Sequence, residues 1–125
     1  MEARRFEKKD YDTVEKWFTT RGIFPAQYHA LPEVGFIVEN IACGFLYKTD
    51  SSVALIENLI ANPEESRENR NEALDVVVSS ILDEAKKLGY RSITGITRLE
   101  PVLKRAFKHG FNNMPHLYAV VSRGL

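Results

Sequence analysis

Between Ser52 and Tyr90 the chain spells a strand, a polar turn and a long helix in immediate succession. Val53-Ala54-Leu55-Ile56-Glu57-Asn58-Leu59-Ile60 has the length and apolar content of a largely buried strand. A polar segment, Asn62 to Asn71, follows it. Leu74, Val77, Val78, Ile81, Leu82, Ala85 and Leu88 then recur with a period of about 3.6 residues, one face of an amphipathic helix. Gly89 is a natural stop. Arg91 to Thr97 reads as another strand, and two strands joined through a helix make a parallel crossover. A polar turn at a helix N-terminus is suited to anions, because the first backbone N–H groups lack partners and the helix dipole favours negative charge there. The functional question is whether this turn holds a phosphate-bearing ligand.

The residues before this unit supply the antiparallel part of the sheet. Arg4 to Lys8 reads as a short edge strand, and Asp12-Thr13-Val14-Glu15 has capping-box spacing, with Asp10 as an alternative cap. Val14, Trp17 and Phe18 share one face of the helix that follows, which ends near Arg21-Gly22 and presents these aromatics to a core. Ile23 to Glu33, with Pro25 and Pro32, is a loop or a short helix. Its Gln27, Tyr28 and His29 either line a substrate entrance or form a plain surface connection. Val34–Val38 and Ile41–Tyr47 flank Glu39-Asn40 as a hairpin. Beyond the crossover, Pro101 fits the first turn of a last helix with Val102, Leu103, Ala106 and Phe107 as its buried face and Gly110 at its end. Leu117 to Ser122 alternates like a final strand.

At 125 residues the chain suits one domain with a real core, residues 1–125. Lys plus Arg number 17 and Asp plus Glu 17, so a general affinity for nucleic acid or acidic membranes has no compositional support. The single cysteine, Cys43, excludes an internal disulfide and reads as a small buried hydrophobe. No apolar run follows Met1-Glu2-Ala3-Arg4-Arg5 and no segment approaches transmembrane length, which makes the cytoplasm the expected location. His29, His109 and His116 have no spacing that suggests a metal site. The expected architecture is α/β (α+β in some schemes): a mixed, mostly antiparallel sheet with helices on both faces. Its exposed edges are compatible with a homodimer.

The order of elements resembles the GNAT superfamily of N-acetyltransferases over nearly the whole chain. Ile41-Ala42-Cys43-Gly44-Phe45 looks like the second hairpin strand of that family with its glycine. Leu59-Ile60-Ala61-Asn62-Pro63-Glu64 looks like the end of its fourth strand with the following proline, and Lys108-His109-Gly110-Phe111 like the Gly-Phe that closes its last helix. The resemblance implies transfer of an acyl group from acetyl-CoA to an amine on a small molecule or protein. It places the pyrophosphate at Ser66, Arg67, Asn69, Arg70 and Asn71, where members carry Arg/Gln-x-x-Gly-x-Gly/Ala. It makes Glu57 the base that deprotonates the amine. It gives the backbone amides near Leu59, Ile60 and Ala61 the task of polarising the thioester carbonyl.

The chain departs from the family at positions that matter. Ser66 stands at the Arg/Gln position, and Asn69 and Asn71 stand at the two glycine positions. Asparagine tolerates left-handed conformations, but its side chain takes up space that a phosphate oxygen needs. The family's tyrosine that protonates the departing thiolate is Ala106 here, and its helix-initial asparagine is Leu99, so the acid is water or another group, with Tyr118 a candidate. Asn62-Pro63-Glu64-Glu65 also has capping-box spacing, and a helix starting at Pro63 would absorb the turn. Two functions therefore stand open: an N-acetyltransferase, or a protein of this fold that has lost the reaction and serves as a binding or structural component.

Overall fold

The hairpin expected around Glu39-Asn40 lies at the heart of a five-stranded sheet. The computed structural model describes residues 1–97, 99–113 and 119–125. Strands β1 (Arg4–Arg5), β2 (Val34–Val38), β3 (Ala42–Tyr47), β4 (Val53–Ala61) and β5 (Ser92–Thr94) lie side by side in chain order. The first three pairings are antiparallel, and β4 pairs with β5 in parallel. Asn40 takes the left-handed conformation (φ 61) that the turn demands.

Strand alternation gives each face of the sheet its own helix. Val34, Val38, Ala42, Leu46 and Ala54 pack against Ala73, Val77, Ile81 and Ala85 of α2 (Arg67–Lys87). Ile37, Cys43, Phe45 and Ile60 pack on the opposite side against Val14, Trp17 and Phe18 of α1 (Tyr11–Thr20). Fully buried side chains such as Val77 and Ile81 each stabilise the fold by roughly 1.5–3 kcal/mol. The expected helical face is therefore correct in its centre. At its ends Ala73 joins it and Leu88 is left 44% exposed.

One irregularity in the sheet positions the site. Cys43 pairs with Ile60, but Phe45 pairs with Glu57, so β4 holds one residue too many opposite Gly44. Asn58 absorbs the bulge at φ 58. Gly44 makes room for it, since a Cβ there would lie 2.9 Å from Leu59 Cδ1 and 3.0 Å from Val77 Cγ1.

Several expectations are corrected. β1 covers Arg4–Arg5 rather than Arg4–Lys8, because Asp10 Oδ2 accepts the Glu7 amide at 2.8 Å and curls Lys8–Asp10 into a 3-10 turn. Asp12–Glu15 does not start α1; the helix begins at Tyr11, and the Asp10 carboxylate is turned to Arg4 at 2.7 and 2.8 Å. The connection from Ile23 to Glu33 holds one 3-10 turn, Tyr28–Ala30. Helix α3 (Glu100–Lys108) starts beside Pro101 as expected, yet it buries no residue, and Phe107 is 46% exposed. In the segment expected as a last strand, Leu117 and Tyr118 lie outside the described residues, while 119–122 form no strand. Alternation permits a strand, but a strand forms only where a neighbour's amides and carbonyls align with it. Among the described residues, no helix is long and apolar enough to cross a membrane.

Candidate active site

The site begins where β4 and β5 part. Their ladder covers Val53–Leu55 against Ser92–Thr94 and stops there, leaving β4 from Glu57 onward without a β5 partner among the described residues. Glu57 sits just past the fork, half-buried, on the α1 side of the sheet shared with Phe45. Burial pushes its carboxyl above the ordinary glutamate range, and the Ile96 backbone amide offsets part of that rise. A carboxyl raised in this way, with no protein cation against it among the described residues, suits proton abstraction from an incoming group.

Further along β4, the Asn62 amide donates to Ile41 O at 2.7 Å, towards β3. Alternation turns Ala61 the other way, towards the fork, where Arg21 Nε donates to Ala61 O at 3.0 Å. The same alternation turns Ile60 to β3, so of the proposed carbonyl-polarising amides Ile60 is aimed away from the fork, and Ala61 faces it.

The turn after β4 is built by its own side chains. Asn62 Oδ1 accepts the Glu64 amide at 3.0 Å, and Asn62 O accepts the Glu65 amide at 3.2 Å. Arg70 Nη1 reaches back to Glu65 O at 2.7 Å and to Pro63 O at 3.4 Å. Ser66 is extended (φ −61, ψ 149) and caps α2, its Oγ accepting the Asn69 amide at 3.1 Å. The helix therefore starts at Arg67 rather than Pro63 or Asn71, and the turn survives. The proline begins only a tight turn, because the Asn62 side chain closes that turn on itself before helical bonding can propagate.

Both asparagines lie inside the helix, with their side chains turned aside. Asn69 Nδ2 donates to Glu65 Oε1 at 2.9 Å, and Asn71 Oδ1 accepts from Arg105 Nη2 at 2.9 Å. Among the described residues, the amides of Arg67 and Glu68 find no acceptor. The Glu65 carboxylate also takes the Ser66 amide at 3.1 Å, and the Asn69 side chain and Ser66 amide together hold it below the ordinary range. Arg67 is exposed on the first turn, whereas Arg70 is committed to the loop carbonyls.

No pattern in the sequence points to what joins α2 to α3. Asp75 takes Arg105 Nη1 at 2.7 Å, His109 Nε2 at 3.1 Å and the Lys108 ammonium. Burial works to raise the Asp75 carboxyl, but hydrogen bonds from Lys108, His109 and Arg105 outweigh it and hold the group at about 2. His109, the C-cap residue of α3, also reaches this carboxylate. Partners 30 to 34 residues apart leave no local pattern, which is why neither Asp75 nor Arg105 stood out.

The remaining positions are quickly placed. Ala106 is half-buried, Leu99 is 56% exposed at the start of α3, and neither hydrocarbon side chain carries a proton to donate. Tyr118 and His116 lie outside the described residues. His29 is exposed. Among the described residues, no group of three or more His, Cys, Asp or Glu side chains could hold a metal ion.

Comparison with solved structures agrees with the architecture. A Trypanosoma brucei acetyltransferase aligns over 97% of this chain and 99% of its own, with a TM-score of 0.70 and 12% identity. A Mycobacterium tuberculosis protein in complex with CoA aligns over 92% and 75%, with a TM-score of 0.72 and 14% identity. Glucosamine-6-phosphate N-acetyltransferase from Arabidopsis thaliana aligns over 96% and 97%, with a TM-score of 0.67 and 14% identity. No family model and no curated protein sequence matches. The chain thus has the fold of the GNAT acetyltransferases, at identities that speak for fold alone.

Proposed function

We propose that this GNAT-fold chain is an N-acetyltransferase that takes its acyl group from acetyl-CoA. One observation carries the reading: α2 starts at Arg67, the Arg67 and Glu68 amides find no acceptor among the described residues, and the asparagine side chains at the two glycine positions bond to Glu65 and Arg105. In this reading the pyrophosphate lies on those amides with Arg67 beside it, Ser66 fixing the helix start, and Asn69, Arg70 and Asn71 shaping the turn. The pantetheine arm enters the fork between β4 and β5. Ala61, and Leu59 beside the bulge, present backbone to the thioester. The CoA complex of the Mycobacterium tuberculosis neighbour supports the choice of carrier.

Glu57 then takes a proton from the acceptor amine, whose freed electron pair attacks the thioester carbonyl. Tyr118 is the candidate donor to the departing thiolate. Calorimetric titration with acetyl-CoA tests the reading. Saturable one-site binding, weakened by Arg67→Ala, supports it, and absence of heat at millimolar cofactor removes it. With turnover in hand, Glu57→Gln should depress the rate while leaving acetyl-CoA binding unchanged.

A further inference from the structure

We propose that Tyr47 and Asn58 form, together with Glu57, a holding site for the ammonium group of the acceptor on the α1 side of the sheet. For its part in turnover this rests on the acyl-transfer reading; the binding of an ammonium does not.

The register brings the three groups together. Phe45 opposes Glu57 and Tyr47 opposes Leu55, so Tyr47 and Glu57 are diagonal neighbours on one face. The bulge aims the third group. Asn58, held in the left-handed conformation, donates its Nδ2 to the Tyr47 hydroxyl at 2.7 Å. Glycine adopts that backbone at no steric cost, whereas an L-residue is strained there. An asparagine at this position keeps a side chain that glycine would lack, and the side chain is spent on the phenol.

The hydroxyl still has work to do. With one lone pair given to Asn58 it retains a second lone pair and its proton, and among the described residues it donates to nothing. Burial pushes Tyr47 up, the Asn58 hydrogen bond works against this, and the Glu57 charge adds to the rise, so the phenol keeps its proton. Lys48 lies 3.9 Å from Glu33, and Arg21 donates to Ala61 O. Among the described residues no cation lies against the half-buried Glu57 carboxylate, and an ammonium supplies one.

An alkylammonium has N–H groups for both acceptors, one for Glu57 and one for the free lone pair of Tyr47. Asn58 fixes the direction of that lone pair. In the transfer step one N–H bond breaks, the proton passes to Glu57, and the electron pair stays on nitrogen. The amine remains hydrogen-bonded to Tyr47 as its charge is removed. Tyr47 and Asn58 are thus positioning residues.

The test is carbon-detected NMR of the Glu57 side-chain carboxyl, titrated with n-butylammonium chloride and, as the uncharged control, n-butanol. The wild type should show a saturable shift with the ammonium alone. Tyr47→Phe, and separately Asn58→Gly, should each weaken it about tenfold, the worth of one hydrogen bond to a charged group. Asn58→Gly keeps the backbone path, so its melting temperature should not fall with the affinity. In turnover the same variants should raise KM for the amine and leave KM for acetyl-CoA unchanged. No saturable shift in the wild type, an equal shift with butanol, or variants as tight as wild type would each overturn the proposal. Ammonium binding without acetyl-CoA binding would support this site while removing the acyl-transfer reading.

Discussion

Replacing Asp75 by asparagine isolates the tie between α2 and α3. The carboxylate sits at about 2 in the native state, against roughly 3.9 when unfolded, a difference worth at most about 2.5 kcal/mol at neutral pH. The Lys108 side chain is 66% exposed, and solvent screening there reduces the expected loss on Asp75→Asn to about 1 kcal/mol. For a domain of this size that lowers the melting temperature by about 4 °C. The sign follows from a depressed carboxylate pKa. The contribution is complete above the unfolded pKa and is lost as pH falls through the folded one, about half of it by about pH 3. Urea unfolding of both proteins at pH 7 and across the acid range measures this. The gap should be widest at neutral pH and should close on acidification. A gap that is absent at pH 7, or that persists unchanged into acid, would refute the ionic account of how α3 is held.

Two further substitutions probe the geometry that sets the fork and the turn. Gly44→Ala places a Cβ 2.9 Å from Leu59 Cδ1 and 3.2 Å from Ile81 Cδ1, so urea unfolding should show a loss of about 1–3 kcal/mol; a neutral result would mean that the bulge does not pin these atoms. Ser66→Ala removes the hydroxyl that accepts the Asn69 amide and should cost about 1 kcal/mol in the same assay, whereas Ser66→Gly should cost only a few tenths. Equal losses would show that the hydroxyl is not the cap.

The chemistry-bearing positions divide by how far apart their causes lie in the chain. Glu57 was visible through the family resemblance, from its place on the strand that runs into Pro63. Its raised carboxyl was not visible, since that depends on burial and on Ile96 across the fork. Ser66 was read as the Arg/Gln position of the pyrophosphate turn, and its capping of α2 emerges from a contact three residues on. Asn69 and Asn71 looked like obstacles to a phosphate. Where their side chains point is decided by Glu65 and by Arg105, the latter 34 residues away. Asn58 and Tyr47 passed unnoticed, because a bulge is a mismatch between two strands and neither strand records it alone.

The sequence by itself determined the order of elements from β1 to α3, the two apolar faces of the sheet and the parallel crossover, because hydrophobic period and turn chemistry act within a few residues. Only the tertiary structure decided where α2 begins, where β4 leaves β5, and that α3 rests on a cluster of charges instead of a buried stripe. Each of these is a choice among local alternatives of nearly equal free energy, and contacts between residues distant in the chain tip the balance.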